Sequence, residues 1–211
     1  MAPSTRQPDA PASPGTESTP PTEPVKVALI IGSTRVDRFG TVPAGWAAAR
    51  ARDRHDVVLD VVDLADTPLP TVFPGDDPDT PLPEAVTALA RRIEWADAVV
   101  IVTPVYNRGY PASLKNAIDW IHGEWNATPV GFVCYGGRTG GIEAVEQLRT
   151  VFVELGTMTI RSVLSFPDCR ECFDESGTPR DAGAHAAATE FYDELTWWAR
   201  ALRAARKETA G

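Results

Sequence analysis

The stretch Val25-Lys26-Val27-Ala28-Leu29-Ile30-Ile31-Gly32-Ser33-Thr34-Arg35 decides the fold. From Val25 to Ile31 it is short, β-branched and apolar. It stops at Gly32, as a strand buried in a parallel sheet does. A polar loop carries the chain to an alanine-rich helix from near Pro43 to about Arg54, where proline suits the first turn. The same grammar repeats outward. Val57–Val62 reads as the second strand, followed by a long Pro- and Asp-rich loop from Asp63 to Leu82. A helix from Pro83 places Val86, Leu89, Ala90 and Ile93 on one face. Ala98–Val102 is the third strand, Pro111–His122 a helix and Pro129–Cys134 the fourth strand. A helix through Leu155 buries Ile142, Val145, Leu148, Phe152 and Leu155. Met158–Val163 fits a fifth strand. The last helix, about Ala184 to Arg206, buries Phe191, Leu195, Trp198 and Leu202.

Five strands alternating with five helices predict an α/β fold, a doubly wound parallel sheet covered on both faces. Right-handed crossovers leave few topologies, and the flavodoxin-like order 2-1-3-4-5 suits this size. Residues 25–211 form that single domain. Residues 1–24 read differently, with prolines at 3, 8, 11, 14, 20, 21 and 24 and no apolar period. They predict a disordered lead-in, since nothing there offsets the entropy of ordering. It has no basic start followed by an apolar stretch, so the expectation is that it is not a signal peptide.

Composition narrows the partners. The chain has 211 residues, with 29 Asp+Glu against 20 Lys+Arg and a formal charge of −9. That field disfavours nucleic acid and anionic membrane surfaces. No apolar run approaches the roughly 18 residues of a membrane span. Three cysteines argue against a disulfide scaffold. A cytoplasmic protein without a metal site is the expectation.

In a sheet of this order the ligand sits beyond the carboxyl ends of the strands. That selects three loops. In the first, Gly32 to Thr41, a helix N-terminus joins hydroxyls of Ser33, Thr34 and Thr41 to the charges of Arg35 and Arg38, with Gly40 between them. Such a set suits a monophosphate. It is neither GxGxxG nor GxxxxGK[ST]. The second, Thr103-Pro104-Val105-Tyr106-Asn107-Arg108-Gly109, offers a stiff wall for a planar aromatic ligand, and Asn107 can read a polar edge. The third, Tyr135-Gly136-Gly137-Arg138-Thr139-Gly140-Gly141, lets main chain approach a ligand closely.

Together these residues resemble the NADPH-dependent FMN reductase family of flavodoxin-like proteins. Gly32-Ser33-Thr34-Arg35 with Arg38 looks like its flavin-phosphate loop. Thr103-Pro104-Val105-Tyr106-Asn107 is similar to its Pro-Glu-Tyr-Asn loop, with Val105 where Glu is usual. Leu114-Lys115-Asn116-Ala117-Ile118-Asp119-Trp120 is similar to its long helix signature, and Tyr135-Gly136-Gly137 to its third flavin loop. The resemblance spans roughly Val25 to Thr159. It implies bound FMN, NADPH or NADH as hydride donor, and a small-molecule second acceptor such as a flavin, quinone, azo compound or metal ion. It also implies a homodimer, possibly a tetramer, with the flavin near the interface; Trp120, lying off the buried stripe of Leu114, Ile118 and Ile121, is expected at that interface. Two other classes stay open: a flavin-modifying tailoring enzyme and a non-enzymatic flavodoxin-type carrier.

No side chain is required as a nucleophile. His55, His122 and His185 read as surface or helix-end residues. Amides of Gly136 and Gly137 are candidates to stabilise an anionic reduced ring. Cys169 and Cys172 form a CxxC with no second pair, so two zinc ligands are missing. Reduced bystander thiols are the first reading and a redox dithiol the second. Cys134 reads as a small core residue.

Overall fold

The computed structural model describes residues 23–73 and 80–209. The expectation for the tail falls on residues outside that set, apart from Glu23 and Pro24. The elements run β1 (Val25–Ile31), α1 (Thr41–Arg52), β2 (Val57–Asp63), α2 (Glu84–Trp95), β3 (Ala98–Pro104), α3 (Ala112–Asp119), β4 (Val130–Tyr135), α4 (Ile142–Glu154), β5 (Thr159–Phe166), α5 (Cys169–Cys172) and α6 (Ala184–Thr209). The strands form one sheet of order β2-β1-β3-β4-β5, and every pairing is parallel.

Side-chain alternation along each strand divides the core in two. Val25, Val27, Leu29, Val100, Val102 and Val133 meet α1 and α6 through Trp46, Ala47, Phe191, Tyr192 and Leu195. Ala28, Ile30, Val99, Ile101 and Phe132 meet α2, α3 and α4 through Leu89, Ile93, Leu114, Ile118, Leu148 and Phe152. Strands buried on both faces read as near-continuous apolar runs, and β3 is apolar from Ala98 to Val102; the buried Thr103 hydroxyl donates to Pro104 O at 3.0 Å. The Tyr192 hydroxyl donates to Ala47 O at 2.9 Å, tying α6 to α1.

Several boundaries move under tertiary packing. α3 ends at Asp119, and a 3-10 turn at Gly123–Trp125 takes over, leaving His122 exposed. That turn drives Trp125 into the core against Phe152, with ring centroids 5.3 Å apart. β5 runs on to Phe166, whose ring meets Trp46 at 5.5 Å. Ile142 at the start of α4 is exposed, and Ala144 takes the inward position. On α6, Ala199 is fully buried while Trp198 and Leu202 are only half-buried.

Trp120 also departs from its expected role as an unfilled interface residue. Its ring stacks on Phe73 at 4.4 Å, and its Nε1 donates to Pro70 O at 2.7 Å. The long β2–α2 loop folds back over it and leaves it buried.

Candidate functional site

Three loops gather at the carboxyl edge of β1, β3 and β4. In the first, Gly32 N–H donates to Val102 O, holding the loop start on β3. Ser33 is fully buried, and its Oγ lies 2.6 Å from the Tyr106 hydroxyl, joining the first loop to the second. Arg38 turns inward to pair with Asp63 at the end of β2. In the second loop, Tyr106 and Gly109 exchange both backbone hydrogen bonds, at 2.8 and 3.0 Å. Asn107 and Arg108 between them have φ of 49° and 70°. Two left-handed residues in succession make a type I′ turn, for which Asn is well suited. The third loop begins at Tyr135, whose side chain is buried beneath Gly40.

The loops enclose a cleft of about 160 Å³ lined by Arg35, Asp37, Arg38, Phe39, Pro104, Val105, Tyr106, Tyr135, Gly136, Cys169 and Arg170. Seven residues singled out from sequence therefore meet there: Arg35, Arg38, Pro104, Val105, Tyr106, Tyr135 and Gly136. Ser33 supports the wall from behind. Thr34 opens instead onto a neighbouring cleft of about 400 Å³ with Thr67, Leu69 and Asn116. Thr41 is exposed at the start of α1, and Asn107 is exposed at its turn apex. Gly140 has φ of 63°, and a Cβ there would lie 2.3 Å from Ser165 Oγ. Its backbone shape and its contact with β5 both require glycine.

The cleft is cationic, with Arg35, Arg38 and Arg170 among its lining residues. Arg38 Nε is buried with no partner among the described residues, although Asp63 takes another nitrogen of the same guanidinium. Arg35 lies 5.8 Å from the Tyr106 ring centre, and Arg170 lies 5.9 Å from that of Phe39. Burial pushes the Tyr135 phenol well above its usual range, and Tyr106 beside it adds to the effect. Tyr135 is thus a neutral hydroxyl across the whole working pH range. The Gly136 N–H is already given to Phe166 O at 3.3 Å. Of the two glycines proposed from sequence, Gly137 is the open one, with nothing within 4 Å of a Cβ built on that residue.

Sequence reasoning missed Phe39, Asp37, Cys169 and Arg170. The CxxC motif was visible, but its position was not. Asp168, at φ of 43°, reverses the chain after β5. Its N–H donates to Gly137 O at 2.9 Å and that of Cys169 to Gly136 O at 3.0 Å, which lays α5 along the third loop.

An orphaned guanidinium N–H, a second arginine, a cluster of neutral hydroxyls, an aromatic wall and an open glycine backbone fit a phosphorylated planar aromatic such as FMN. The residues present therefore suit a flavin mononucleotide, and the fold with this site defines a flavodoxin-like flavoprotein.

Comparison with known proteins agrees. Residues 25–170 match the model of the NADPH-dependent FMN reductase family, and the chain belongs to that family. An NAD(P)H-dependent FMN reductase of Schizosaccharomyces pombe is 35% identical over 151 residues, covering 67% of this chain and 74% of the relative. A quinone reductase of Pseudomonas putida is 28% identical over 186 residues, covering 84% and 96%. Among solved structures, the flavoenzyme NAD(P)H:(acceptor) oxidoreductase FerB of Paracoccus denitrificans superposes with a TM-score of 0.68 at 26% identity, covering 83% of this chain and 97% of that one. The protein is an FMN-dependent NAD(P)H oxidoreductase. No helix among the described residues is long and apolar enough to cross a membrane.

Proposed function

We propose that the chain passes hydride from NAD(P)H through FMN to a quinone-class acceptor. The carrying observation is the convergence of the three strand-end loops on one cationic, tyrosine-walled cleft. FMN supplies the two-electron ring, while the protein supplies placement and electrostatics.

Arg35 and Arg38 hold the phosphate at the N-terminus of α1, with the Ser33 hydroxyl behind the wall; Thr34 and Thr41, which the sequence also offered, lie outside this cleft. Arg38 Nε provides a donor that no group among the described residues uses. Pro104, Val105 and Tyr106 form the wall against one face of the ring, and Asn107 reads its edge. Val105 Cγ1 also occupies the space where a Gly136 Cβ would lie, at 2.7 Å, so it closes the base of the cleft without adding charge. Tyr135 donates a neutral hydrogen bond, and Gly137 presents an amide to developing negative charge. Gly140 sets the third loop's shape.

The other ring face is shared in turn by nicotinamide and acceptor. A planar apolar acceptor fits such a shared stacking site, and a quinone reductase is the relative aligned over 84% of this chain. None of the three histidines lines the cleft. His55 and His185 line another cleft, between α1 and α6, and His122 is exposed. The histidines therefore take no part in proton delivery within this cleft.

A cytoplasmic homodimer is part of the proposal. Val72, Phe73 and Leu82 are 79%, 46% and 53% exposed on the β2–α2 loop. Apolar exposure of this kind suits a two-fold interface. Anaerobic NADPH added to holoprotein should bleach the oxidised-flavin spectrum, and a benzoquinone should then restore it faster than free FMN or a ferric chelate does. Bleaching with recovery slowest for the quinone would remove the acceptor assignment.

A further inference from the structure

We propose that Cys169 and Cys172 form a dithiol–disulfide pair that exchanges two electrons with the flavin of the cleft. NAD(P)H oxidation then reduces a disulfide of the protein itself. The proposal rests on reading the cleft as the flavin site.

Position is the first argument. Cys169 lines the cleft beside Tyr135, Gly136 and Tyr106. Cys172 lines the neighbouring cleft of about 310 Å³ with Trp46, Phe166 and Pro179. The pair thus stands between the flavin cleft and a second opening to solvent. Both thiols are half-buried and Cys134 is fully buried in β4; burial pushes all three thiols up, that of Cys134 to about 12.

Geometry is the second. The two cysteines are three residues apart on the single turn of α5. Helix geometry sets their Cα atoms about 5 Å apart. That falls within the roughly 4.4–6.8 Å that a disulfide spans. The Cys172 thiol donates to Cys169 O at 3.5 Å, so its sulfur already lies toward the Cys169 end of the turn.

Anchoring is the third. α5 is tied to the third loop by the Asp168 and Cys169 amides, and to the first by Arg170 over Phe39. On its far side Arg180 N–H donates to Cys172 O at 2.8 Å. Loops assigned to the flavin therefore hold the turn that carries the pair. A metal does not explain it: among the described residues no group of three or more His, Cys, Asp or Glu could hold one.

The step balances as NAD(P)H, one proton and the disulfide giving NAD(P)⁺ and two thiols. The sulfur–sulfur bond breaks and each sulfur gains one electron and one proton. The hydride brings both electrons and one proton, and solvent brings the other. The reverse reaction oxidises the dithiol when a small-molecule disulfide or diamide withdraws two electrons.

The test uses FMN-loaded full-length protein oxidised with diamide, desalted and titrated anaerobically with NADPH. A couple that takes two electrons beyond the flavin requires a second equivalent of NADPH per subunit. Alkylation after acid quench should then label Cys169 and Cys172, as shown by peptide mass spectrometry. Cys172→Ser holoprotein should stop at one equivalent. Complete bleaching at one equivalent with the Cys169–Cys172 disulfide intact overturns the proposal, as does failure of diamide to join the two. A protein that retains no FMN, or whose flavin NADPH does not bleach, overturns the flavin-site reading and the proposal with it.

Discussion

Gly40→Ala is the sharpest test of how the first and third loops fit together. Gly40 has φ of −57° and ψ of −23°, so alanine can adopt its backbone without strain. The obstacle is entirely steric. A Cβ there lies 2.4 Å from the Tyr135 hydroxyl oxygen and 3.2 Å from its Cζ. Comfortable separation is roughly 3.5 Å, so the phenol must shift by about 1 Å. It has little room, being 4% exposed with its ring 6.1 Å from that of Phe39. Overpacking of this kind costs on the order of 1–3 kcal/mol. Losing glycine's freedom in the unfolded chain offsets about 0.4–1 kcal/mol of that. The net loss is about 1–2 kcal/mol, or a fall in Tm of about 2–8 °C for a domain of this size. Urea denaturation of apoprotein measures the first figure and calorimetry the second. Tyr135→Phe removes the clashing oxygen, so the double variant should recover most of the loss relative to Tyr135→Phe alone. FMN fluorescence titration should show several-fold weaker binding in Gly40→Ala, because the displaced phenol enters the cleft. A Gly40→Ala protein as stable as the parent, or one that Tyr135→Phe does not relieve, would refute this packing.

Three further outcomes are expected. Arg35→Ala should weaken FMN about tenfold, equivalent to about 1.4 kcal/mol, and leave riboflavin unchanged, because only FMN carries the phosphate; equal weakening of both by equilibrium dialysis removes Arg35 from the phosphate site. Asp60→Asn should cost on the order of 1 kcal/mol at pH 7, since the exposed edge of the pair is screened. Two Arg92 hydrogen bonds of 2.6 Å hold the Asp60 carboxyl below its ordinary range despite partial burial. A depressed carboxylate stabilises the fold above the unfolded-state pKa and loses that contribution as pH falls through the folded value. The urea midpoints of parent and variant should therefore converge at acid pH, and a constant gap would show that the charge is not the cause. Phe73→Glu should halve the light-scattering mass of the holoprotein and red-shift tryptophan emission as the Trp120 ring loses its stacking partner; a monomeric parent protein would remove the dimer.

What the sequence made readable was the part of the molecule governed by local period. Runs such as Val99-Val100-Ile101-Val102 have to be buried on both faces, and alternation with amphipathic helices leaves few sheet orders. The three loops followed because strand order alone says where such a sheet opens. The readings that shifted depend on partners distant in sequence. Trp120 was taken for an interface residue because nothing near it could cover its ring, yet Phe73 and Pro70 arrive from the β2–α2 loop. Arg38 looked like a phosphate ligand alone, yet Asp63 already neutralises part of its guanidinium. That pairing sharpens the site: it fixes the guanidinium plane and leaves Nε as the donor still unpaired. The same holds for Cys169 and Cys172. Their spacing showed a dithiol, but only the left-handed turn at Asp168 and two amide bonds to the glycine loop bring it to the flavin cleft. A turn conformation costing about a kilocalorie per mole for a non-glycine residue persists where its surroundings enforce it. At Asp168 the enforcing contacts are bonds to the third loop itself, so the strain and the placing of the thiols have one cause.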